Sequence, residues 1–133
     1  MKNVEVLNAH NDAQNNTDES SKEIIMNHLS SFIDNHLEGV MSDYTDDSVL
    51  ITRDGTYKGL KNIEGFFINL MTHFPKERST LELDKITTIG RLAYIIWHAK
   101  TPSLEVALGS DTYIIKDGKI YEQTFVGQMR FLN

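Results

Sequence analysis

Apolar positions recur at helical spacing in the first part of the chain. The first stripe comprises Ile24, Ile25, His28, Leu29, Phe32 and Ile33. Ser20 and Glu23, just before this stripe, have the spacing of a capping box, which predicts that the first helix begins at Ser20. Asn35 and Glu38 repeat that spacing and predict that a second, short helix follows.

Residues 48–75 contain a strand pattern followed by a third helical stripe. The segment SVLIT is rich in β-branched residues, and the Asp54-Gly55 pair after it predicts a type I′ turn that closes a hairpin over residues 48–58. The helical stripe comprises Leu60, Ile63, Phe66, Phe67, Leu70 and Met71. Pro75 cannot continue a helix, so the third helix is predicted to end before it.

The second half of the chain has the alternating pattern of β-strands. The candidate strands are STLELDKITTI, LAYIIWHAK, LEVALGSDTYII and KIYEQTFVGQM. Turn residues separate them, which predicts an antiparallel meander. Long strands in one sheet twist and curl. The predicted fold is therefore α+β, a cone-shaped domain with three N-terminal helices packed in the concavity of a curved antiparallel sheet.

Length and charge limit the domain number and the classes of partner. A chain of 133 residues with 40% hydrophobic content forms one compact domain, predicted over residues 20–133. Residues 1–19 are rich in Asn and Asp and are predicted to be a flexible polar leader. The formal charge of -6 repels phosphate backbones and anionic lipid, so neither a nucleic-acid partner nor a membrane partner is expected.

The residue inventory also argues against metals and cofactors. The chain has no cysteine, which excludes disulfides, thiolate metal sites and cysteine nucleophiles. Asp43, Asp46 and Asp47 lack the calcium-loop pattern and are interpreted as part of a helix exit and a turn. We therefore expect no metal and no cofactor. The first twenty residues lack a signal-peptide pattern, and no apolar run approaches the roughly 20 residues of a membrane helix, so a cytoplasmic location is expected.

The element order, together with the segments LEGVMSDYTDDSVLITRDGTYKGLKNIEGFF and DTYIIKDGKIYEQTFVGQM, resembles the nuclear transport factor 2-like superfamily. The resemblance is closer to its SnoaL-like and ketosteroid-isomerase-like branch, and it covers roughly residues 22–129. It implies a homodimer formed through the sheet and a pocket within the cone. That superfamily contains isomerases, polyketide cyclases, dehydratases and binding domains, so the resemblance is specific for the fold and broad for the function.

The resemblance also assigns three positions of the ketosteroid-isomerase site. Its aspartate base aligns with Thr52, its oxyanion tyrosine with His28, and its second oxyanion acid with Asp111. Thr52 cannot accept a proton at neutral pH, so it is retained only as a ligand contact. His28 and Asp111 remain candidates for catalysis.

Alternation along the LAYIIWHAK segment separates two faces but does not say which one points into the cone. The resemblance implies that Tyr94, Ile96 and His98 face inward, with His98 as a further catalytic candidate and the other two as ligand contacts. The alternative is that Trp97 faces inward and His98 lies on an outer or dimer face.

The last two strands contribute further pocket candidates. Asp111 and Tyr113 share one face by alternation, and the resemblance places Gln123 and Phe125 on the pocket side. A buried, unpaired carboxylate is costly, so an inward Asp111 is expected to have a raised pKa and to contact one of the two candidate histidines.

Two functions stay open from the sequence. The first is binding of a small, mostly apolar ligand in the cone, extending to cofactor-free isomerisation, cyclisation or dehydration with His28 or His98 as base and a protonated Asp111 as oxyanion donor. The second is a noncatalytic ligand-binding or protein-interaction module. Convergence of His28, His98 and Asp111 in an open cone would favour the first function, and polar groups that point apart would favour the second. A third possibility is that side chains fill the cone and the protein only dimerises.

Overall fold

The structure is a computed structural model that describes residues 12–132, with side chains from residue 17 onward. The helices are α1 (Asp12–Ile33), α2 (Leu37–Met41) and α3 (Gly59–Met71). The strands are β1 (Val49–Thr52), β2 (Gly55–Lys58), β3 (Thr80–Ile89), β4 (Leu92–Lys100), β5 (Leu104–Lys116) and β6 (Lys119–Phe131). They form one six-stranded sheet in the order β2-β1-β6-β5-β4-β3. The predicted α+β fold is confirmed.

One pairing in the sheet is parallel. Strand β1 runs parallel to β6, with Val49 opposite Glu122, whereas the remaining neighbours are antiparallel. Register shifts interrupt each long pairing between β3 and β6, and such bulges increase local twist and bend. The sheet therefore curves, and the three helices pack on its concave side. No helix among residues 12–132 is long and apolar enough to cross a membrane.

Helix α1 begins earlier than its capping box predicts. It starts at Asp12, so Ser20 lies inside the helix. The N-terminal half is held by the turn between β3 and β4: the Ser21 hydroxyl donates to the Gly90 carbonyl at 2.8 Å, and the Gly90 amide donates to the Asp18 carboxylate. These tertiary contacts extend the helix beyond its local start signal. Residues 12–19 of the predicted flexible leader belong to helix α1, so that part of the prediction is wrong, and residues 1–11 lie outside the described residues.

Asn35 ends α1 and does not cap α2. It has a φ of 56°, in the left-handed region that asparagine tolerates at helix ends. Its side-chain amide donates to the carbonyls of Met71 and Phe74 at 3.0 and 2.7 Å, which ties α1 to the end of α3. The residue that precedes α2 is His36, without a side-chain capping bond. The second predicted capping box is therefore wrong.

The β1–β2 hairpin exists, but its turn differs from the prediction. Thr52 pairs with Gly55, so Gly55 already belongs to β2 and the loop holds only two residues. Within the described part of the chain, neither Asp54 nor Gly55 has a positive φ, and the predicted type I′ turn is wrong. The Thr52 hydroxyl instead accepts the Asp54 amide at 3.2 Å. Positive φ values of 52° and 77° occur at Asp117 and Gly118, which connect β5 to β6.

Strand β4 presents the face opposite to the one that the resemblance implied. Tyr94, Ile96 and His98 point away from the helices, and Tyr94 is 38% exposed. The residues buried against the helices are Ala93, Ile95, Trp97 and Ala99. The outward face also carries Lys100, whose charge would be costly to bury. The predicted inward orientation of Tyr94, Ile96 and His98 is therefore wrong.

Candidate functional site

A small cavity lies between the helices and the concave face of the sheet. Its volume is about 40 Å³, and we call it the inner cavity. Its apolar wall comprises Leu29, Phe32, Phe66, Phe67, Leu70 and Leu81. Its polar residues are His28, Trp97, Asp111, Tyr113 and Gln123, and Phe125 completes the lining. The cone is therefore largely filled by side chains, and the space that remains has polar groups on one side.

Asp111 is a carboxylic acid buried in this wall. Only 6% of its surface is exposed. The Trp97 indole donates to one carboxylate oxygen at 2.7 Å, and the Gln123 amide donates to the other at 2.9 Å. Burial raises the pKa of Asp111 to about 6, although both hydrogen bonds and the nearby His28 act in the opposite direction. Asp111 can therefore gain or lose a proton close to neutral pH, which the sequence interpretation expected of an inward aspartate.

A chain of hydrogen bonds connects Asp111 to a second aspartate. The Tyr44 hydroxyl donates to the Gln123 carbonyl oxygen at 2.5 Å and lies 3.3 Å from His28 Nε2. His28 Nδ1 lies 2.9 Å from the Asp43 carboxylate. The path from Asp43 through His28, Tyr44 and Gln123 to Asp111 forms a continuous polar network inside the core.

The network is fully paired. Among the described residues, no buried side-chain nitrogen or oxygen atom lacks a hydrogen-bond partner. Burial also raises the pKa values of Tyr44 and Tyr113 well above the ordinary value, with neighbouring carboxylates adding to the effect, so both phenols stay protonated at neutral pH. A satisfied network of this kind holds its members rigidly. Asp111 is thus preorganised, with spare lone pairs on both oxygens.

A larger open groove adjoins the inner cavity. Its volume is about 1060 Å³, and we call it the outer groove. Phe66, Leu70 and Phe125 line both spaces, so these three side chains separate the cavity from the groove. Thr52 lies in the outer groove and not in the inner cavity. A ligand that reached Asp111 from the outer groove would pass these three residues.

The structure brings most, but not all, of the predicted site residues together. The inner cavity collects His28, Asp111, Tyr113, Gln123 and Phe125. The outer face of the sheet carries Tyr94, Ile96 and His98. His98 Nδ1 lies 2.8 Å from the Asp84 carboxylate, which raises the pKa of the histidine. The functional roles assigned to all these residues stay predictions.

The expected contact between Asp111 and a histidine takes an indirect form. Its direct hydrogen-bond partners are Trp97 and Gln123, and His28 is reached only through Tyr44. From the sequence, Asp43 was interpreted as part of a helix exit, and Tyr44 was not a site candidate. No local spacing relates Asp43 and Tyr44 to their partners His28 and Gln123, because these come from distant segments of the chain. The sequence did contain a signal for an inward Trp97, because the opposite face of β4 carries the polar residues His98 and Lys100.

Metal binding has no geometric support in the described residues. No group of three His, Cys, Asp or Glu side chains among residues 17–132 is arranged to hold a metal ion.

The sequence matches no protein-family model and no curated protein. Its structure is similar to many solved structures at low sequence identity. A nuclear transport factor 2-like protein of unknown function from Burkholderia xenovorans has a TM-score of 0.66 at 16% identity, covering 86% of this chain and 84% of that one. An LEH-like epoxide hydrolase from Mycobacterium tuberculosis has a TM-score of 0.66 at 12% identity, covering 83% of this chain and 84% of that one.

A de novo designed protein with a curved β-sheet is equally similar. It has a TM-score of 0.71 at 13% identity and covers 83% of this chain and 86% of its own. At such identities the likeness concerns the fold alone, and it includes an enzyme and a designed scaffold. The fold is the nuclear transport factor 2-like fold, as the sequence resemblance indicated, and the function must be argued from the site.

Proposed function

We propose that this chain, which has the nuclear transport factor 2-like fold, binds a small, mostly apolar ligand whose polar group contacts Asp111. The observation that supports this proposal is the carboxyl group of Asp111 in an otherwise apolar wall. An ionisable group held by two donors and facing a cavity, with a pKa of about 6, is typical of a binding or reaction site. Above that pH the carboxylate accepts hydrogen bonds, so the ligand would carry a hydroxyl or an amine.

The size of the cavity indicates how such a ligand would sit. Its volume of about 40 Å³ is far below the roughly 300–1,000 Å³ of typical ligand pockets, whereas the outer groove is at the upper end of that range. Only the polar group and a small part of the body would fit inside. The remainder would pass Phe66, Leu70 and Phe125 and lie in the outer groove.

A catalytic extension of this function is cofactor-free acid/base chemistry, such as isomerisation, cyclisation or dehydration. Asp111 would accept the proton, because a base with a pKa near neutrality is efficient at physiological pH. Such reactions on carbonyl compounds also need a donor for the developing oxyanion. Trp97 and Gln123 both donate to Asp111, which leaves the protonated phenol of Tyr113 as a candidate donor in the lining of the inner cavity. The inner cavity is too small for a whole substrate, so binding is the primary proposal.

Binding can be tested with benzyl alcohol, which carries one hydroxyl on a small apolar body. Trp97 is the only tryptophan of the chain and lines the inner cavity, so its fluorescence reports binding there. We expect saturable binding above about pH 6 and weaker binding as the pH falls through the pKa of Asp111, because a protonated carboxyl is a poorer acceptor. The Asp111→Asn variant should bind more weakly and lose this pH dependence.

The matched control is Asp47→Asn, which removes the same charge from an exposed position. It should bind benzyl alcohol as the wild-type protein does. If the affinity is independent of pH and unchanged in Asp111→Asn, Asp111 does not contact the ligand and the proposal is wrong.

We also propose that the outer face of the sheet pairs with a second copy of the chain. Ile51, Leu108 and Val126 lie on the adjacent strands β1, β5 and β6 and are 47%, 44% and 54% exposed, and the last two also border the outer groove. The strand register places Thr124 beside Ile51 and Ser110 beside Val126, so the polar side chains among them are small and uncharged. A face of this kind can be self-complementary about a two-fold axis.

Val126→Asp should shift the protein from dimer to monomer and raise the dissociation constant by at least about tenfold, since it buries a charge at the interface. Light scattering during gel filtration measures this change. The control is Ile68→Asp, which places the same charge on α3, at a residue that is 50% exposed. A wild-type protein that is monomeric at high concentration would contradict the proposed dimer.

A further inference from the structure

Two glycines lie side by side on the concave face of the sheet, next to the inner cavity. Gly109 of β5 is in register with Gly127 of β6 on one side and with Trp97 of β4 on the other. A Cβ atom added to Gly109 would overlap three atoms of the Trp97 indole, the farthest of them at 2.7 Å. The indole therefore lies directly on the backbone of β5, in space that only glycine leaves open.

Phe125 occupies the neighbouring space over Gly127, with a looser fit than that of Trp97 over Gly109. A Cβ atom added to Gly127 would lie 3.1 Å from the tip of the Phe125 ring. The Trp97 and Phe125 rings have centroids 5.9 Å apart and planes only 15° from parallel. The two nearly parallel rings lie over neighbouring glycines, and we call them the aromatic floor, defined as Trp97 and Phe125 above Gly109 and Gly127.

This aromatic floor is part of the ligand site. Both rings line the inner cavity, and Phe125 continues into the outer groove. The indole N–H that holds Asp111 belongs to the same floor, so the position of the ring and the orientation of the carboxylate depend on each other. The opposite wall is formed by α3 through Phe66 and Leu70.

We propose that Gly109 and Gly127 are specificity-determining residues, and that the aromatic floor they allow selects a ligand with a flat, unsaturated ring and a hydrogen-bond donor directed at Asp111. This inference rests on the proposed function and names the ligand class of the same site. A flat ring can enter below α3 edge first and stack with part of its area on Trp97, beside Asp111, and the rest on Phe125, toward the outer groove. A puckered ring touches the floor at a few atoms and needs a wider gap below α3.

The test compares benzyl alcohol with cyclohexylmethanol by Trp97 fluorescence. Both carry the same aliphatic hydroxyl and the same number of heavy atoms, but only benzyl alcohol has a flat ring. Cyclohexylmethanol is the more apolar of the two, so burial of apolar surface alone would favour it. We expect the wild-type protein to bind benzyl alcohol roughly 3- to 10-fold more tightly, the range of aromatic pair interactions beyond area burial.

Glycine variants provide the matched controls. Gly109→Ala should abolish the preference for benzyl alcohol, because the indole must leave its position. The same variant should raise the pKa of Asp111 further, since the lost Trp97 hydrogen bond lowers it; carboxyl-carbon NMR measures this. Gly65→Ala should change neither quantity, because no atom lies within 4 Å of the added Cβ. Gly127→Ala should reduce the preference without abolishing it.

Each outcome bears on a separate claim. Equal affinities of the wild-type protein for the two alcohols, or a preference for cyclohexylmethanol, would overturn the aromatic-floor inference while ligand binding stood. If neither alcohol perturbed Trp97, the proposed ligand function would fail and this inference with it. If Gly109→Ala did not fold, Gly127→Ala would decide, and a full wild-type preference there would overturn the inference.

Discussion

Replacing Asp111 with asparagine is expected to stabilise the folded protein at neutral pH by up to about 3 kcal/mol while weakening ligand binding. The pKa of Asp111 is raised from an ordinary value of 3.8 to about 6 in the folded protein, chiefly by burial. Each pKa unit corresponds to about 1.4 kcal/mol of free energy, so the ionised form is costly to bury. Asparagine keeps the shape of the side chain and removes this cost.

The direction of the pH dependence follows from the raised pKa. In the wild-type protein, the stability linked to this group is fully present below about pH 4 and is lost as the pH rises through about 6. Urea unfolding at a series of pH values should therefore show that Asp111→Asn and the wild-type protein are equally stable near pH 4. Their free energies of unfolding should diverge as the pH increases.

The polar network can accommodate the substitution. An asparagine oxygen still accepts the Trp97 N–H, and its amide can donate to Gln123 once the Gln123 amide turns over. Gln123 then donates to the Tyr44 hydroxyl, which in turn donates to Nε2 of His28. Every member keeps a partner, so no unsatisfied group offsets the gain.

Asp47→Asn, at the surface, is the control and should leave the pH dependence of stability as in the wild-type protein. A destabilised Asp111→Asn at neutral pH would contradict the expectation. It would mean that the charged form of Asp111 is favoured by its partners more strongly than burial opposes it.

The second large effect is expected for Phe67→Ala, which should lower the free energy of unfolding by about 3–5 kcal/mol. Phe67 is 4% exposed and its ring contacts those of His28, Phe32 and Tyr44, with centroid distances of 6.0, 6.3 and 5.7 Å. Removing it takes away the contact between α3 and α1 beside the network. It also enlarges the inner cavity, so benzene should raise the melting temperature of the variant, as apolar cavities bind apolar molecules.

Phe131→Ala tests whether the position or the residue type matters. Phe131 is 65% exposed on β6, so its removal should cost less than about 1 kcal/mol and create no benzene site. Similar losses for the two variants in chemical unfolding would show that Phe67 is not central to the core. If Phe67→Ala does not fold, Phe67→Leu should show a smaller loss in the same direction.

The local rules of the sequence predicted the elements well and their ends less well. The segments with strict period-two alternation correspond to β3 to β6, and the third apolar stripe corresponds to α3. The errors occur where tertiary contacts decide. The Gly90 amide holds Asp18, before Ser20, in helix α1, and Asn35 bonds to the end of α3 instead of capping α2. Capping-box spacing describes one segment and contains no information about such distant partners.

The candidate site was predictable only in part. The resemblance placed His28 and Asp111 at the cavity, whereas alternation could not choose between the two faces of β4, and the wrong face was preferred. Asp43 and Tyr44 were missed because their partners lie in α1 and β6, far away along the chain.

The sequence by itself determined the number, type and order of the elements, and with them the curved sheet and the helices on its concave side, because hydrophobic periodicity is a local property. The tertiary structure alone decided how far the cone is filled and which polar groups meet within it. The network from Asp43 to Asp111 and the aromatic floor over Gly109 and Gly127 both depend on side chains from different elements. Such contacts are set by packing and register, which local patterns do not specify.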